Sequence, residues 1–271
     1  MIKTLVIIVL FTFLLFLPLK TSELNTQKDR EEDRKEIRHS FEIKEPTETS
    51  IVQKVVQKSS TTPSTNNQWQ KYPAEILGCS RSGNDLLVLV NKKYKLPSTY
   101  APSDLVKASN SGIRRGESYY LRNILIPDLT NMINDAKSNG IDLSILSGYR
   151  SYQTQVNTYN YWLTKNNNNV EYVDTFSARA GHSQHQLGTV IDFSSNEIGD
   201  ALGDRFRNTN ASNWLVQNAH RYGFVISYPA GYESTTGYKY ESWHYRYIGI
   251  ANALEMKNSG MILETYLRGK N

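Results

Sequence analysis

Residues 183–192 read Ser183-Gln184-His185-Gln186-Leu187-Gly188-Thr189-Val190-Ile191-Asp192, and this segment carries the most information about the structure. Its polar half ends at Gly188, which permits a tight turn because glycine has no side chain. The apolar residues that follow predict a strand over 189–193, with Asp192 on it. A loop folded back onto that strand would bring His185 and Asp192, seven residues apart, to one metal ion.

A second segment supplies a third ligand and a candidate base. It reads Glu241-Ser242-Trp243-His244-Tyr245-Arg246. A catalytic zinc ion takes three protein ligands of nitrogen or oxygen type and keeps one position open for water. His244, on a strand predicted over 243–248, would complete that set with His185 and Asp192. Glu241 lies three residues earlier, from where it can reach the water without binding the metal, as a general base must.

The third segment places a cation at the end of a predicted strand. It reads Ser147-Gly148-Tyr149-Arg150-Ser151. The planar guanidinium of Arg150 suits either a substrate carbonyl oxygen or a terminal carboxylate. Taken singly, each residue has an ordinary structural explanation, such as packing for a histidine or an ion pair between Glu241 and Arg246. Three ligands, a base and a cation in three loop-flanked segments together indicate an active site.

The composition limits the chemistry that such a site can use. Cys79 is the single cysteine among 271 residues, which excludes an intrachain disulfide and a cysteine-built zinc site. The net charge of +5 comes without a dense cluster of Lys and Arg, so we expect no nucleic-acid partner. A weak positive excess suits a protein that works beside an anionic cell wall or membrane surface.

The first 70 residues differ in composition from the rest of the chain. An apolar run over 5–19, between Lys3 and Lys20, is short for a membrane span and is typical of a secretory signal. We interpret residues 1–21 as a signal peptide or signal anchor. Residues 22–70, which are charged and then rich in Ser, Thr, Asn and Gln, predict a disordered stalk. Residues 71–271 would then form the catalytic domain of an exported monomer, with membrane contact only through the N-terminal segment.

The apolar pattern of residues 71–271 predicts an α+β domain, with a small antiparallel sheet and helices on one side of it. The predicted strands cover 86–90, 141–146, 189–193, 224–228 and 243–248. The predicted helices cover 121–136, which Pro127 interrupts or restarts, and 153–165, 213–222 and 250–256.

The three segments resemble those of the metallo D-alanyl-D-alanine carboxypeptidases of the vancomycin-resistance (VanY-like) type and their L,D-carboxypeptidase relatives. The motif S-x-H-x-x-G-x-x-x-D matches at Ser183, His185, Gly188 and Asp192. The motif E-x-W-H matches at Glu241, Trp243 and His244, and G-Y-R-S matches at residues 148–151, with Gln155 after it. The similarity runs from about residue 72 to residue 247, which covers nearly the whole predicted domain.

This resemblance implies a zinc peptidase domain of the hedgehog/D,D-peptidase type. It implies one zinc ion at His185, Asp192 and His244, Glu241 as base, and Arg150 in catalysis and substrate binding. The other residues that it suggests for substrate contact are Ser151, Gln155, Ser183 and Trp243. One departure is Gln184, where these relatives usually have Glu; we expect this side chain at the rim of the site. By the same resemblance, His182 is a loop or rim residue that does not bind the metal.

The implied reaction removes the C-terminal D-alanine from peptidoglycan stem peptides. The resemblance leaves two alternatives for the bond that is cleaved: the D-Ala-D-Ala bond of a pentapeptide and the L,D bond of a tetrapeptide. The alternatives are an endopeptidase that opens cross-links and a relative that keeps zinc but only binds the wall. Glu241 argues against the second alternative, because a site that only binds has no need of a base.

Overall fold

A computed structural model describes residues 69–271 of the protein. The predicted signal segment and almost all of the predicted stalk lie outside the described residues. Within the described part, no helix combines the length and the apolar character that crossing a membrane requires.

The folded part alternates short strands with helices. The described strands are β1 (Leu77–Gly78), β2 (Tyr94–Lys95), β3 (Leu105–Lys107), β4 (Tyr120–Arg122), β5 (Leu143–Ser147), β6 (Val190–Ser195), β7 (Phe224–Ile226) and β8 (His244–Tyr247). The described α-helices are α1 (Ile126–Ser138), α2 (Tyr152–Lys165), α3 (Val170–Val173), α4 (Asn210–Asn218), α5 (Glu233–Thr236), α6 (Ile250–Ser259) and α7 (Leu263–Arg268).

The central sheet has the strand order β5-β6-β8-β7, and each neighbouring pair is antiparallel. The remaining strands form two small pairs, β1 with β2 and β3 with β4. The α+β class and the small antiparallel sheet predicted from the sequence are therefore confirmed.

The main apolar cluster lies between one face of this sheet and helices α1 and α4. Ile191 and Phe193 of β6 are fully buried in it, together with Leu129 and Met132 of α1. Burying each such side chain stabilises the fold by about 1.5–3 kcal/mol. Because successive residues of a strand point to opposite faces, Asp192 directs its carboxylate to the face that these helices leave open.

Helix α1 starts later than the apolar spacing predicted. Residues 120–122 form β4, and the helix begins at Ile126 with Pro127 in its first turn. Proline is tolerated there because the first N–H groups of a helix have no partner within the helix. Leu121 and Leu125 still join the same apolar cluster, which explains why their spacing resembled that of a helix.

A second apolar cluster joins helices α6 and α7 to the edge of the sheet. It contains Val225 of β7, whereas the neighbouring Phe224 belongs to the main cluster. Helices therefore also pack near the other face of the sheet, at its β7 edge. Helix α7 was not predicted from the sequence.

The strand predicted over 86–90 is wrong. This segment is a buried loop, although Val88, Leu89 and Val90 are as apolar and inaccessible as strand residues. The carbonyl oxygens of Leu86 and Val88 accept hydrogen bonds from Nη2 of Arg246, at 3.0 and 2.7 Å. The buried guanidinium of Arg246 thus donates hydrogen bonds to carbonyl oxygens that a neighbouring strand would otherwise satisfy.

Candidate active site

Two neighbouring strands bring the first two predicted ligands together. Asp192 on β6 and His244 on β8 are direct partners across the antiparallel pair. The Nδ1 atom of His244 lies 3.1 Å from Oδ1 of Asp192. Residues directly opposite each other on one face of an antiparallel pair are close neighbours, so strand register alone fixes this half of the site.

The third predicted ligand comes from a 3₁₀ turn, Gln184–Leu187, that precedes β6. This turn ends at Gly188, whose φ of +68° is a conformation that favours glycine. A Cβ atom at Gly188 would come within 3.0 Å of side-chain atoms of Arg122 and Leu105. The turn places Nε2 of His185 3.3 Å from Oδ2 of Asp192.

The three side chains have the properties of a metal site. One ligand atom from each of His185, Asp192 and His244 lies within 4.8 Å of the others, and each residue is 4% exposed. Although Oδ1 of Asp192 lies close to Nδ1 of His244, that contact does not have hydrogen-bond geometry, and Oδ1 of Asp192 and Nε2 of His244 are both buried without a hydrogen bond. Since nearly all buried polar atoms are hydrogen-bonded, and two imidazoles with one carboxylate suit zinc, these residues fit a bound zinc ion.

The surroundings hold the ligands in the protonation states that a metal needs. Nδ1 of His185 lies 2.7 Å from the carbonyl oxygen of Gly148, to which it donates when the proton is on Nδ1, and this leaves Nε2 free as a ligand atom. Burial lowers the pKa of His185 to about 4, so its ring is neutral at pH 7. Burial alone would raise the pKa of Asp192, but the two histidines beside it lower that pKa overall.

Glu241 lies beside the three ligands. Its Oε2 atom is 3.3 Å from Nδ1 of His244, and its side chain is 13% exposed. Burial, and then the negative charge of Asp192, raise the pKa of Glu241 well above its ordinary value. A carboxyl group in this position can exchange a proton with a water or an amine held at the site.

Arg150 lies next to His185, and two hydrogen bonds fix its guanidinium group. It donates from Nη1 to Oε1 of Gln155 at 2.8 Å and from Nη2 to Oγ of Ser147 at 3.0 Å. Gln155 in turn donates to the carbonyl oxygen of Ala178 at 2.6 Å. Both ends of the Gln155 amide are therefore engaged within the protein, where it positions Arg150. Gln155 also lines the cavity over the site, so its predicted contact with substrate stays a prediction.

A cavity of about 250 Å³ opens over these residues. The ligands, Glu241, Arg150, Ser183 and Trp243 line it. Four further aromatic residues of its wall were not predicted from the sequence: Trp162, Phe176, Tyr228 and Tyr238. They come from separate elements, and only the tertiary fold brings them to one place.

Ser151 does not line this cavity, contrary to the prediction of substrate contact. It caps helix α2, and its Oγ accepts a hydrogen bond from the backbone N of Thr154 at 3.0 Å. Serine is a preferred residue at this position because it satisfies a free N–H group of the first turn. Ser183 also accepts from a backbone N–H, that of His185 at 3.3 Å, but it remains part of the cavity wall.

His182 lies in a loop, as predicted, but both His182 and Gln184 are buried, so neither side chain is at an exposed rim; Gln184 is part of the cavity wall. Nδ1 of His182 lies 2.8 Å from the carbonyl oxygen of Asn91, and its ring packs edge-on against Tyr72. His182 is not part of the three-residue metal cluster. Oε1 of Gln184 accepts a hydrogen bond from Oγ of Ser227 at 2.7 Å.

Comparison with known proteins agrees with this site. Residues 118–250 match the family described as VanY, D-alanyl-D-alanine carboxypeptidase. The Bacillus subtilis (strain 168) protein YodJ is 36% identical over 189 residues, and the match covers 67% of this chain and 67% of that protein. The solved L,D-carboxypeptidase LdcB is 32% identical with a TM-score of 0.65, over 74% of this chain and 94% of LdcB.

A second solved structure is similar over a comparable length. It is a variant of the D,D-pentapeptidase VanY from a VanB-type vancomycin-resistance cassette in complex with Zn(II), 27% identical with a TM-score of 0.56. The match covers 69% of this chain and 99% of that one. The resemblance inferred from three short segments is confirmed, and the chain belongs to the VanY family of D-alanyl-D-alanine carboxypeptidases.

Proposed function

We propose that this domain is a zinc-dependent carboxypeptidase that releases the C-terminal D-alanine of peptidoglycan stem peptides, with one zinc ion at His185, Asp192 and His244. The observation that carries the proposal is the position of Glu241, 3.3 Å from a ligand histidine and inside the same cavity. Relatives with D,D and L,D activity support the choice of reaction.

The residues of the site divide the work of peptide hydrolysis. A zinc ion at the three ligands would polarise the scissile carbonyl and lower the pKa of its water towards ~7. Glu241 takes the proton from the attacking water and returns it to the nitrogen of the leaving D-alanine as the C–N bond breaks. Arg150 donates to an oxygen of the substrate, either the scissile carbonyl or the terminal carboxylate. The nearby divalent charge would also favour the ionised form of Glu241.

Mass spectrometry of defined stem peptides, incubated with the zinc-loaded protein, tests the proposal and distinguishes the two bonds. Loss of one alanine from a pentapeptide that ends in D-Ala-D-Ala would identify D,D activity, and loss of one alanine from a tetrapeptide would identify L,D activity. Cleavage between internal residues of a cross-linked peptide would replace the proposal by an endopeptidase. An unchanged set of peptides would leave only a wall-binding function.

We further propose that the domain works outside the cytoplasmic membrane, on the basis of the apolar run over 5–19 between two lysines. Deleting residues 1–68 is expected to leave folding and turnover intact, because residues 22–68 are charged and then polar and lack the apolar content to join a core. Circular dichroism, thermal unfolding and kcat/KM of the shortened protein check this against a chain that lacks only residues 1–21. A molten spectrum, or a loss of activity beyond a few-fold, would show that the domain boundary is wrong.

Arg150→Lys is expected to lower kcat/KM by about 10–100-fold, although the charge is kept. Lysine cannot form the two hydrogen bonds that hold the guanidinium between Gln155 and Ser147, and hydrogen bonds to charged groups contribute roughly 1.5–3 kcal/mol. Steady-state kinetics on the peptide that the protein cleaves measure the effect. Arg268→Lys serves as the control, since Arg268 pairs with Glu264 outside the cavity. Unchanged kinetics for Arg150→Lys would remove this residue from the site.

A further inference from the structure

Tyr228 follows β7 at a point where the chain is tied to both the metal strand and the base. The backbone N of Glu241 donates to the carbonyl oxygen of Tyr228 at 3.1 Å. The backbone N of Ser227, one residue earlier, donates to the carbonyl oxygen of His244 at 3.1 Å. The position of Tyr228 relative to Glu241 and His244 is therefore set by the main chain.

The ring of Tyr228 is part of the cavity wall beside a predicted metal ligand. Its centroid is 4.9 Å from that of the His244 imidazole and 4.8 Å from that of Tyr238. Tyr228 is 8% exposed, and it lines the cavity together with Glu241. These two neighbouring rings fix the orientation of the Tyr228 ring in the cavity wall.

The hydroxyl of Tyr228 has no hydrogen-bond partner among residues 69–271, whereas other buried tyrosines of this domain do. Tyr238 pairs with Tyr72 at 3.1 Å, and Tyr247 donates to Asp128 at 2.7 Å. A buried tyrosine hydroxyl usually finds a partner. The hydroxyl of Tyr245 also lacks one, but that residue lies in the main apolar cluster and does not line the cavity.

Building on the proposed function, we propose that Tyr228 is a further catalytic residue. Its hydroxyl donates a hydrogen bond to the substrate oxygen that becomes negatively charged when the scissile carbonyl is attacked. Tyr228 acts from the His244 side of the site and Arg150 from the His185 side. The backbone N of Arg150 donates to the carbonyl oxygen of His185 at 3.2 Å. No proton is transferred; the phenol remains neutral and the hydrogen bond strengthens as the negative charge develops.

Two observations favour this oxygen over a more distant part of the substrate. The ring of Tyr228 contacts the imidazole of His244, so the residue adjoins the reacting centre. The backbone N of Glu241 donates to the carbonyl oxygen of Tyr228, so the residue also adjoins the proposed base, and its phenol is a hydrogen-bond donor in the neutral range. A preorganised donor stabilises a developing anion more than it stabilises the neutral carbonyl.

Tyr228→Phe in the zinc-loaded protein tests the proposal, because it removes only the hydroxyl. We expect kcat to fall by roughly 100-fold, the scale for loss of one such donor, with KM within a few-fold and zinc content unchanged. Affinity for a phosphinate analogue of D-Ala-D-Ala should fall by the same factor as kcat/KM, since that analogue resembles the tetrahedral state. Affinity for D-alanine should be the same in Tyr228→Phe and in the unmodified protein.

Tyr245→Phe is the matched control, since it removes an unpartnered hydroxyl next to the same ligand but outside the cavity, and it should change none of these quantities. Loss of zinc in Tyr228→Phe would make the residue a support for His244 and overturn the proposal. A raised KM with unchanged kcat, or equal phosphinate affinity in both proteins, would also overturn it. Failure of the unmodified protein to cleave any stem peptide would refute the proposed function instead, while the phosphinate comparison would still test Tyr228.

Discussion

Glu241→Gln is expected to keep zinc bound and the fold unchanged while kcat falls by at least about 100-fold. The amide has nearly the shape of the carboxylate, so the packing around its side chain and the three ligands should survive. It cannot accept a proton from the attacking water or return it to the leaving amine, and general acid–base catalysis is typically worth roughly 10²–10⁴-fold. Metal analysis and kcat on the same preparation measure both quantities together.

The control for this variant is Glu255→Gln, which removes a carboxylate that pairs with Lys270 on the surface. Its zinc content and kcat should match those of the unmodified protein. If Glu241→Gln loses zinc along with activity, Glu241 is a ligand and the set of three is misassigned. If its kcat stays within a few-fold, another group acts as base.

His185→Ala is expected to abolish zinc retention and activity, whereas His182→Ala should keep near-stoichiometric zinc. The two histidines are three residues apart, but only His185 has a ring nitrogen within 3.3 Å of Asp192. His182 contacts the Asn91 carbonyl and Tyr72 instead, so its loss should lower the melting temperature without emptying the site. Zinc analysis after dialysis, together with thermal unfolding, separates these two effects.

Stoichiometric zinc in His185→Ala would show that the remaining residues hold the metal without it. Zinc loss in a folded His182→Ala protein would place His182 among the ligands, against its position in the structure. Each outcome is informative because the unfolding curve shows independently whether the variant is folded.

The metal site was predictable because its information is local. The interval from His185 through Gly188 to Asp192 specifies a turn followed by a strand, and the structure places both as expected. Local spacing could not show that β8 pairs with β6, because Asp192 and His244 are far apart in the sequence. His244 was found only through the motif E-x-W-H.

The errors arose where one pattern has two physical explanations. A serine at the start of a helix can contact a ligand or cap the helix, and Ser151 caps it. An apolar run can be a strand or a buried loop, and residues 86–90 form a loop because Arg246 and Asn271 bind its backbone. Tyr228 carries no motif, and its relation to Glu241 appears only once the sheet is formed.

The hydrogen bonds from Arg246 to the backbone of the loop over 86–90 affect how the site forms during folding. The hydrogen bond from Arg246 to Leu86 closes a loop of 160 residues, and that from Asn271 to Leu87 spans 184. Contacts of such high sequence separation form slowly, since the entropy of closing the chain opposes them until other structure has shortened the distance. Arg246 lies two residues after His244 on the same strand and face, so we expect the seating of β8 to be complete only after this closure. We therefore expect His244 to be the last of the three ligands to reach its place, and a refolding chain to capture metal only at the end of its folding reaction.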